Sequence, residues 1–148
     1  MEKLPEKRLE KFREIIEKLK ENIAIILSHL DPDSIACAKL FSEICKHFEK
    51  KAKIFYAGGL HLPQNKIIWN KFGLEEDFSS IKKFLEIENK DQYSVVLLDS
   101  SSLDDPRLDG VEIKPTIIID HHLSADKLEE TDDTWYHLIV CGAAITLV

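Results

Sequence analysis

The sequence has little of several features that would define a function class. Its three cysteines lack the C-x-x-C spacing of a zinc or redox motif, so we expect Cys37, Cys45 and Cys141 to be reduced core residues of an intracellular protein. No apolar run has the length of a membrane span and no signal peptide is recognisable, so we expect a cytoplasmic protein with no membrane partner. A basic stripe is also missing, and the net charge of −7 argues against a long nucleic-acid track.

What remains is the composition of an ordinary globular domain. Hydrophobic residues make up 44% of the 148 positions and charged residues 32%, which excludes a disordered chain. The length is that of one domain, so we interpret residues 1–148 as a single unit. The acidic balance still permits a short anionic substrate, because a bound divalent cation can reverse the local charge.

Amphipathic helices alternate with short apolar strands along the chain. The apolar spacing predicts helices over residues 5–21, 35–48, 63–72 and 78–87, with a further helix beginning at 142. We expect Ser34 to be the N-cap of the second helix. The predicted strands are 23–27, 53–57, 95–98, 116–119 and 138–140. This alternation predicts a doubly wound, mainly parallel α/β sheet with helices on both faces.

Carboxylates and imidazoles follow three of the predicted strands, directly where each strand ends. In open parallel sheets, ligands bind outside the carboxyl ends of the strands, so we expect these side chains to meet. Oxygen and imidazole ligands suit a pair of Mn²⁺ or Mg²⁺ ions better than a thiolate zinc site. The residues concerned are His29, Asp31, Asp33, Asp99, Asp120, His121 and His122.

Each cluster taken alone has an ordinary structural interpretation. The Asp31-Pro32-Asp33 turn could simply cap the following helix. A single histidine such as His29 is more often packed or exposed than a ligand, and Asp99 could begin a turn with the serines that follow it. The convergence of all three clusters on one sheet edge favours a metal site. Two cations about 3.5–4 Å apart can activate water and stabilise the departing oxygen of a phosphate ester.

The same residues resemble the first three motifs of the DHH phosphoesterase superfamily. The matching segments are 29–36, Asp99 and 120–122, and the resemblance covers residues 23–148. The superfamily includes RecJ-like exonucleases, nanoRNases that also remove phosphate from pAp (adenosine 3′,5′-bisphosphate), cyclic-dinucleotide phosphodiesterases and manganese pyrophosphatases. The resemblance implies a Rossmann-like DHH domain that hydrolyses short oligonucleotides, pAp or related small phosphates with two Mn²⁺ ions, or Mg²⁺ in their place.

The resemblance also implies roles for the ligands. Asp31 and Asp33 would bind different metal ions, Asp99 would bridge both, and His121 would be a further ligand. His29 falls where RecJ-like members place the first residue of their first motif. Pyrophosphatase-like and nanoRNase-like members place that histidine two residues further upstream, so the role of His29 differs between the branches.

Other residues would act around the metal ions. The resemblance gives His122 a contact with the scissile phosphate and Asp120 a supporting place behind the site. Arg107 could reach a substrate phosphate from the loop after Asp99, or could be an exposed surface arginine. The segment 58–65 is similar to a glycine/asparagine segment of the nanoRNase branch, but it could equally be a surface turn that starts a helix.

The sequence departs from the superfamily pattern near its end. Alanines in the segment 141–146 stand where small hydroxyl residues are usual, and the aspartate of the fourth motif has no counterpart before Val148, since Asp132 and Asp133 come too early. We therefore expect a DHH domain that is cut short and lacks the usual C-terminal substrate-binding domain. A catalytically incomplete nucleotide-binding or assembly module and a pyrophosphatase or polyphosphatase are the alternatives. A homodimer is the oligomeric state that we consider for any of them.

Overall fold

The computed structural model describes residues 5–122, 128–139, 142–146 and 148. Six strands form one sheet in which every neighbouring pair runs parallel. The strands are β1 (Asn22–Leu27), β2 (Lys51–Tyr56), β3 (Phe78–Ser80), β4 (Tyr93–Leu98), β5 (Ile117–Asp120) and β6 (Trp135–Leu138). Their order across the sheet is β3-β2-β1-β4-β5-β6, which is the doubly wound order of Rossmann-like folds. The predicted α/β fold class is confirmed.

Helices and loops cover both faces of this sheet. The helices are α1 (Glu6–Lys18), α2 (Pro32–His47), α3 (Pro63–Phe72) and α4 (Ile81–Leu85). Alternate residues of β1 enter two separate cores, with Ile23, Ile25 and Leu27 packing with α1, α2 and α3. Ala24 and Ile26 pack on the other face with α4 and the segment around 108–111. Burial on both faces explains why β1 is an almost unbroken aliphatic run.

Helix α2 begins earlier than the sequence pattern suggests. Asp31, and not Ser34, is the N-cap, because the Ser34 N–H donates to Asp31 Oδ1 at 2.8 Å and the Asp31 N–H donates to Ser34 Oγ at 3.0 Å. Pro32 occupies the first helical position, where its fixed φ is already helical and its missing N–H costs nothing. The predicted Ser34 cap is therefore wrong, and the helix-capping interpretation of Asp31 is correct for one of its two oxygens.

The predicted helix over residues 78–87 is divided in two. Phe78 to Ser80 form the edge strand β3, which pairs with Ile54–Tyr56 of β2, and only then does α4 begin. Phe78 is buried against Trp69 of α3, with ring centroids 5.5 Å apart. This contact across the sheet edge outweighs the weak helical spacing of the segment, as tertiary packing often does.

The last strand also lies before its predicted position. Strand β6 spans Trp135–Leu138 in place of residues 138–140; Val140 lies outside the described residues and Ile139 is about half exposed. The predicted position of the strand is wrong because His137 interrupts the apolar run in the sequence. In the structure His137 is nevertheless buried and stacks on Trp135. In place of a helix from residue 142, a single 3₁₀ turn covers Ala144–Thr146.

Two further expectations concern the cysteines and the membrane. Cys37 and Cys45 are buried and have free thiols, as predicted, whereas Cys141 lies outside the described residues. No helix in the described part of the chain has both the length and the apolar character that a membrane span needs.

An ion cluster attaches α1 to the exposed edge of the sheet at β6. Arg8 and Lys11 contact the carboxylate of Glu130 at 2.7 Å and 2.5 Å. Arg8 Nη2 also donates to the Tyr136 carbonyl, the Tyr136 N–H donates to Glu130 at 2.8 Å, and Trp135 Nε1 donates to the Arg8 carbonyl. Covering an edge strand in this way protects it from pairing with another chain.

We predict that Glu130→Gln lowers the stability of the protein in a pH-dependent manner. Burial raises the pKa of Glu130, but hydrogen bonds from Lys11, the Tyr136 N–H and Arg8 outweigh it and hold the pKa at about 2, below the ordinary value of 4.5. The charged carboxylate therefore stabilises the fold above pH 4.5, and that contribution disappears as the pH falls towards about 2.

Urea unfolding across this pH range measures the effect. The free energy of unfolding should fall by about 2–3 kcal/mol in Glu130→Gln near neutral pH, and the two proteins should converge in acid. Glu43→Gln is the matched control, because Glu43 pairs with Lys46 on an exposed surface and should matter by less than about 1 kcal/mol. A difference between wild type and Glu130→Gln that is constant with pH would contradict the prediction.

Candidate metal centre

The three strand ends predicted to meet are neighbours in the sheet. β1, β4 and β5 are adjacent, and the chain moves outward to β2 on one side of β1 and from β4 to β5 on the other. This reversal between β1 and β4 is the switch point at which parallel α/β sheets bind their ligands. Asp99 follows β4 directly at this point, so its side chain occupies the centre of the group.

Asp99 is held in an unfavourable state. It is 2% exposed, and its φ of 56° lies in the left-handed region that non-glycine residues rarely adopt. Its N–H donates to the Ile119 carbonyl at 2.8 Å, which fixes the loop to β5. Among the described residues, neither carboxylate oxygen has a hydrogen-bond partner of good geometry. A buried carboxylate of this kind is costly unless positive charge compensates it.

One group of potential ligands surrounds Asp99 on the β1 side. His29 Nε2 lies 3.2 Å from both Asp31 Oδ2 and Asp99 Oδ2. The carboxylate of Asp31, followed by that of Asp99, raises the pKa of His29 to about 10, and the contact with His29 lowers the pKa of Asp31 to about 2. Ligand atoms of these three residues lie within 4.8 Å of one another, so they could hold a metal ion.

A second group lies on the β5 side and shares Asp99. His121 Nε2 is 3.2 Å from Asp99 Oδ1, and His122 Nδ1 is 3.9 Å from the same oxygen. Ligand atoms of Asp99, His121 and His122 also fall within 4.8 Å of one another. Asp99 therefore lies between two sets of donors, which is the placement that a bridging ligand needs.

The buried carboxylate of Asp120 contacts both histidines. It is 1% exposed, and its Oδ1 accepts the N–H of His121 at 2.9 Å and that of His122 at 3.3 Å. The same oxygen lies 2.7 Å from His122 Nδ1. Carboxylates that contact ligand histidines in this way fix the orientation of the imidazole ring. The supporting role of Asp120 behind a metal site stays a prediction.

Asp33 has an environment that the sequence did not reveal. Its carboxylate accepts the N–H of Ala144 at 2.7 Å and that of Ile145 at 2.9 Å, and His121 Nε2 lies 3.4 Å away. The Cys37 thiol donates to it as well, at 3.6 Å. Asp33 is thus at the site but belongs to neither group of potential ligands within the described residues. The turn at 144–146 binds Asp33 through backbone N–H groups. Almost any residue type carries such a group, so the sequence could not reveal this contact.

A cleft of about 250 Å³ adjoins the β1 group, and His29 and Asp31 form part of its wall. Gly58, Gly59, His61, Asn65 and Arg107 line it as well. The sequence left open whether the 58–65 segment and Arg107 contact a substrate or are ordinary surface. In the structure they line a cleft next to the potential ligands His29 and Asp31.

Ser28 near the centre escaped the sequence prediction, and Asn65 entered it only as part of the segment 58–65. Ser28 Oγ lies 3.0 Å from His29 Nδ1, and Asn65 Nδ2 donates to the Leu30 carbonyl at 2.7 Å. Both are buried and hydrogen-bonded. The position of Ser28 directly before His29 is a sequence signal that could have identified it. Asp133, by contrast, lines a hollow beside Ser94 and Thr116 at the amino ends of the strands, away from the centre.

Comparison with known proteins shows the fold only. No family profile matches the sequence, and neither does any curated protein. Ten solved chains match the structure, including an exopolyphosphatase-related protein from Bacteroides fragilis with a TM-score of 0.54 and 18% sequence identity. The superposition covers 99% of this chain but 43% of that one, so the chain spans less than half the length of that protein. The parallel α/β fold is therefore shared with a solved phosphatase-related structure.

Proposed function

We propose that the chain carries the centre of a divalent-metal-dependent phosphohydrolase of the DHH type. The observation that carries the proposal is Asp99, a buried carboxylate with unsatisfied oxygens between two sets of donors. Metal binding would supply positive charge directly at the carboxylate oxygens, in place of the proton on His29, which explains why the protein maintains such a costly group. The fold shared with an exopolyphosphatase-related protein supports phosphate chemistry.

The donor set favours hard divalent ions. His29, Asp31 and Asp99 would hold one cation, and Asp99 with His121 and His122 would hold the other. Carboxylate oxygens with imidazole nitrogens suit Mn²⁺, with Mg²⁺ as the alternative. Such cations lower the pKa of water and offset negative charge on phosphoryl oxygens.

Asp33 and His122 would complete the centre. A carboxylate offers about four lone-pair sites, so Asp33 can accept the N–H groups of Ala144 and Ile145 and still bind a cation. The imidazole of His122 is about half exposed and its Nδ1 is oriented by Asp120. It can therefore either bind the second cation or contact the scissile phosphate.

Short oligonucleotides, pAp and related small phosphates are the proposed substrates. The net charge of −7 disfavours a long polyanion, whose many phosphates would meet acidic surface away from the cations. A pyrophosphatase or polyphosphatase is the second candidate, and the shared fold of the exopolyphosphatase-related protein from Bacteroides fragilis favours it.

We predict that Asp99→Asn abolishes tight Mn²⁺ binding without unfolding the protein. The amide keeps the size of the carboxylate but removes the shared negative charge, so Mn²⁺ affinity should fall at least about 100-fold. Calorimetric titration measures the affinity, and Mn²⁺ should raise the Tm of the wild type but not of the variant. Asp104→Asn is the matched control, because Asp104 is exposed in the same loop. Equal Mn²⁺ affinity in wild type and Asp99→Asn would refute the proposed centre.

Hydrolysis assays distinguish the substrates. With Mn²⁺, the wild type should release phosphate from pAp and cleave dinucleotides, and Asp99→Asn should be slower by about 1,000-fold or more, because cations contribute several kcal/mol to the barrier. Release of phosphate from pyrophosphate or polyphosphate with nucleotides left intact would select the second candidate. Tight Mn²⁺ and nucleotide binding without any turnover would reject an enzyme in favour of a binding module.

A further inference from the structure

We propose that Cys37 is a positioning residue of the metal centre, because its thiol holds the Asp33 carboxylate so that only one of the two oxygens is open to a cation. The inference rests on the proposed function for the identity of the centre. It adds a determinant of metal specificity, namely a preference for octahedral cations such as Mn²⁺ or Mg²⁺ over Ca²⁺.

Helix α2 places the thiol next to this carboxylate. Asp33 and Cys37 are four residues apart at the beginning of the helix, so they lie on one face of it. The side chains of a helix lean towards its N-terminus, which brings the thiol back to Asp33. Cys37 Sγ donates to Asp33 Oδ1 at 3.6 Å. The contact is therefore fixed by the geometry of a regular helix.

The thiol is a constant hydrogen-bond donor. Cys37 is fully buried, and burial, followed by the charges of Asp33 and Asp99, raises the pKa of its thiol. The sulfur therefore keeps its hydrogen. A neutral S–H group is a weak donor, but a hydrogen bond to an ionised acceptor is stronger than one between neutral groups.

The two oxygens of Asp33 have different partners. Oδ1 accepts the Cys37 S–H together with the N–H of Ile145 at 2.9 Å. In the described part of the chain, Oδ2 accepts one backbone N–H, that of Ala144 at 2.7 Å, and lies 3.4 Å from His121 Nε2. A carboxylate oxygen has about two lone-pair sites. The two donors therefore saturate Oδ1, and Oδ2 keeps a site that a cation can use.

The number of available oxygens affects which cation binds. Ca²⁺ takes about six to eight oxygen ligands and often binds both oxygens of one carboxylate, whereas Mg²⁺ requires a nearly ideal octahedron. A carboxylate that offers one oxygen supplies one corner of an octahedron. Without the thiol, Oδ1 of Asp33 regains a lone pair and the carboxylate can present both oxygens to a larger ion. Cys37 therefore disfavours Ca²⁺ at the centre.

Cys37→Ala tests this role through the relative affinity for two cations. Calorimetric titrations with Mn²⁺ and with Ca²⁺ under reducing conditions should show that the ratio of Mn²⁺ affinity to Ca²⁺ affinity falls about 10-fold, as expected for a lost hydrogen bond to a charged group. Cys37→Ser should restore the wild-type ratio, because a hydroxyl can donate to the same oxygen. A loss of packing alone would weaken the binding of both cations together, and a polar serine would not reverse it.

Cys45→Ala is the matched control. Cys45 is buried in the same core cluster and on the same helix as Cys37. It lies eight residues further along the helix, which is about 12 Å. Its truncation removes the same sulfur atom from the core without touching Asp33, so the affinity ratio should stay at the wild-type value. Equal ratios in Cys37→Ala and Cys45→Ala, or a ratio in Cys37→Ser as low as in Cys37→Ala, would overturn the inference.

The amide resonance of Ile145 reports the position of Asp33 without any metal ion. In a chelator, this resonance should shift in Cys37→Ala, because the Ile145 N–H shares Oδ1 with the thiol, and it should stay in place in Cys45→Ala. Equal shifts in both variants would reject the role of Cys37. A shift confined to Cys37→Ala, in a protein that binds neither cation, would leave the positioning of Asp33 by Cys37 standing and refute the proposed function.

Discussion

The structure depends on the burial of one negative charge at the junction of three strands. Asp99 is 2% exposed, and its oxygens have no well-formed hydrogen bond among the described residues. The cost is tolerable only if β1, β4 and β5 present compensating groups at the same point. His29 and His121 each place a ring nitrogen 3.2 Å from Asp99, so protons or cations can supply the positive charge. A small shift of any strand would remove this compensation.

The rest of the fold holds those strand ends in register. β1 and β4 lie at the centre of the sheet and are buried on both faces, so neither can slide without exposing a core. At the outer edge, the contacts of Arg8 and Lys11 with Glu130 attach α1 to β6. The hydrogen bond from the Asp99 N–H to the Ile119 carbonyl extends the pairing of β4 with β5 to Asp99 itself. It also helps to maintain the strained φ of this residue.

Acidic and basic side chains lie close together in the region around Asp99. Carboxylates and imidazoles concentrate around Asp99, and Arg107 lines the cleft that adjoins them. The solved exopolyphosphatase-related structure shares the parallel α/β fold of this chain at 18% identity.

Sequence alone determined the parallel sheet and the strand-end clusters, because β-branched runs buried on both faces and the residues directly after them are local features. Tertiary structure decided what depends on distant partners: Phe78 becomes a strand residue against Trp69, and Asp33 is held by N–H groups more than a hundred positions away. Local spacing cannot show such contacts, since backbone donors carry no residue signature. For the same reason only the folded chain places Arg107 beside Gly58 in the cleft that adjoins His29 and Asp31.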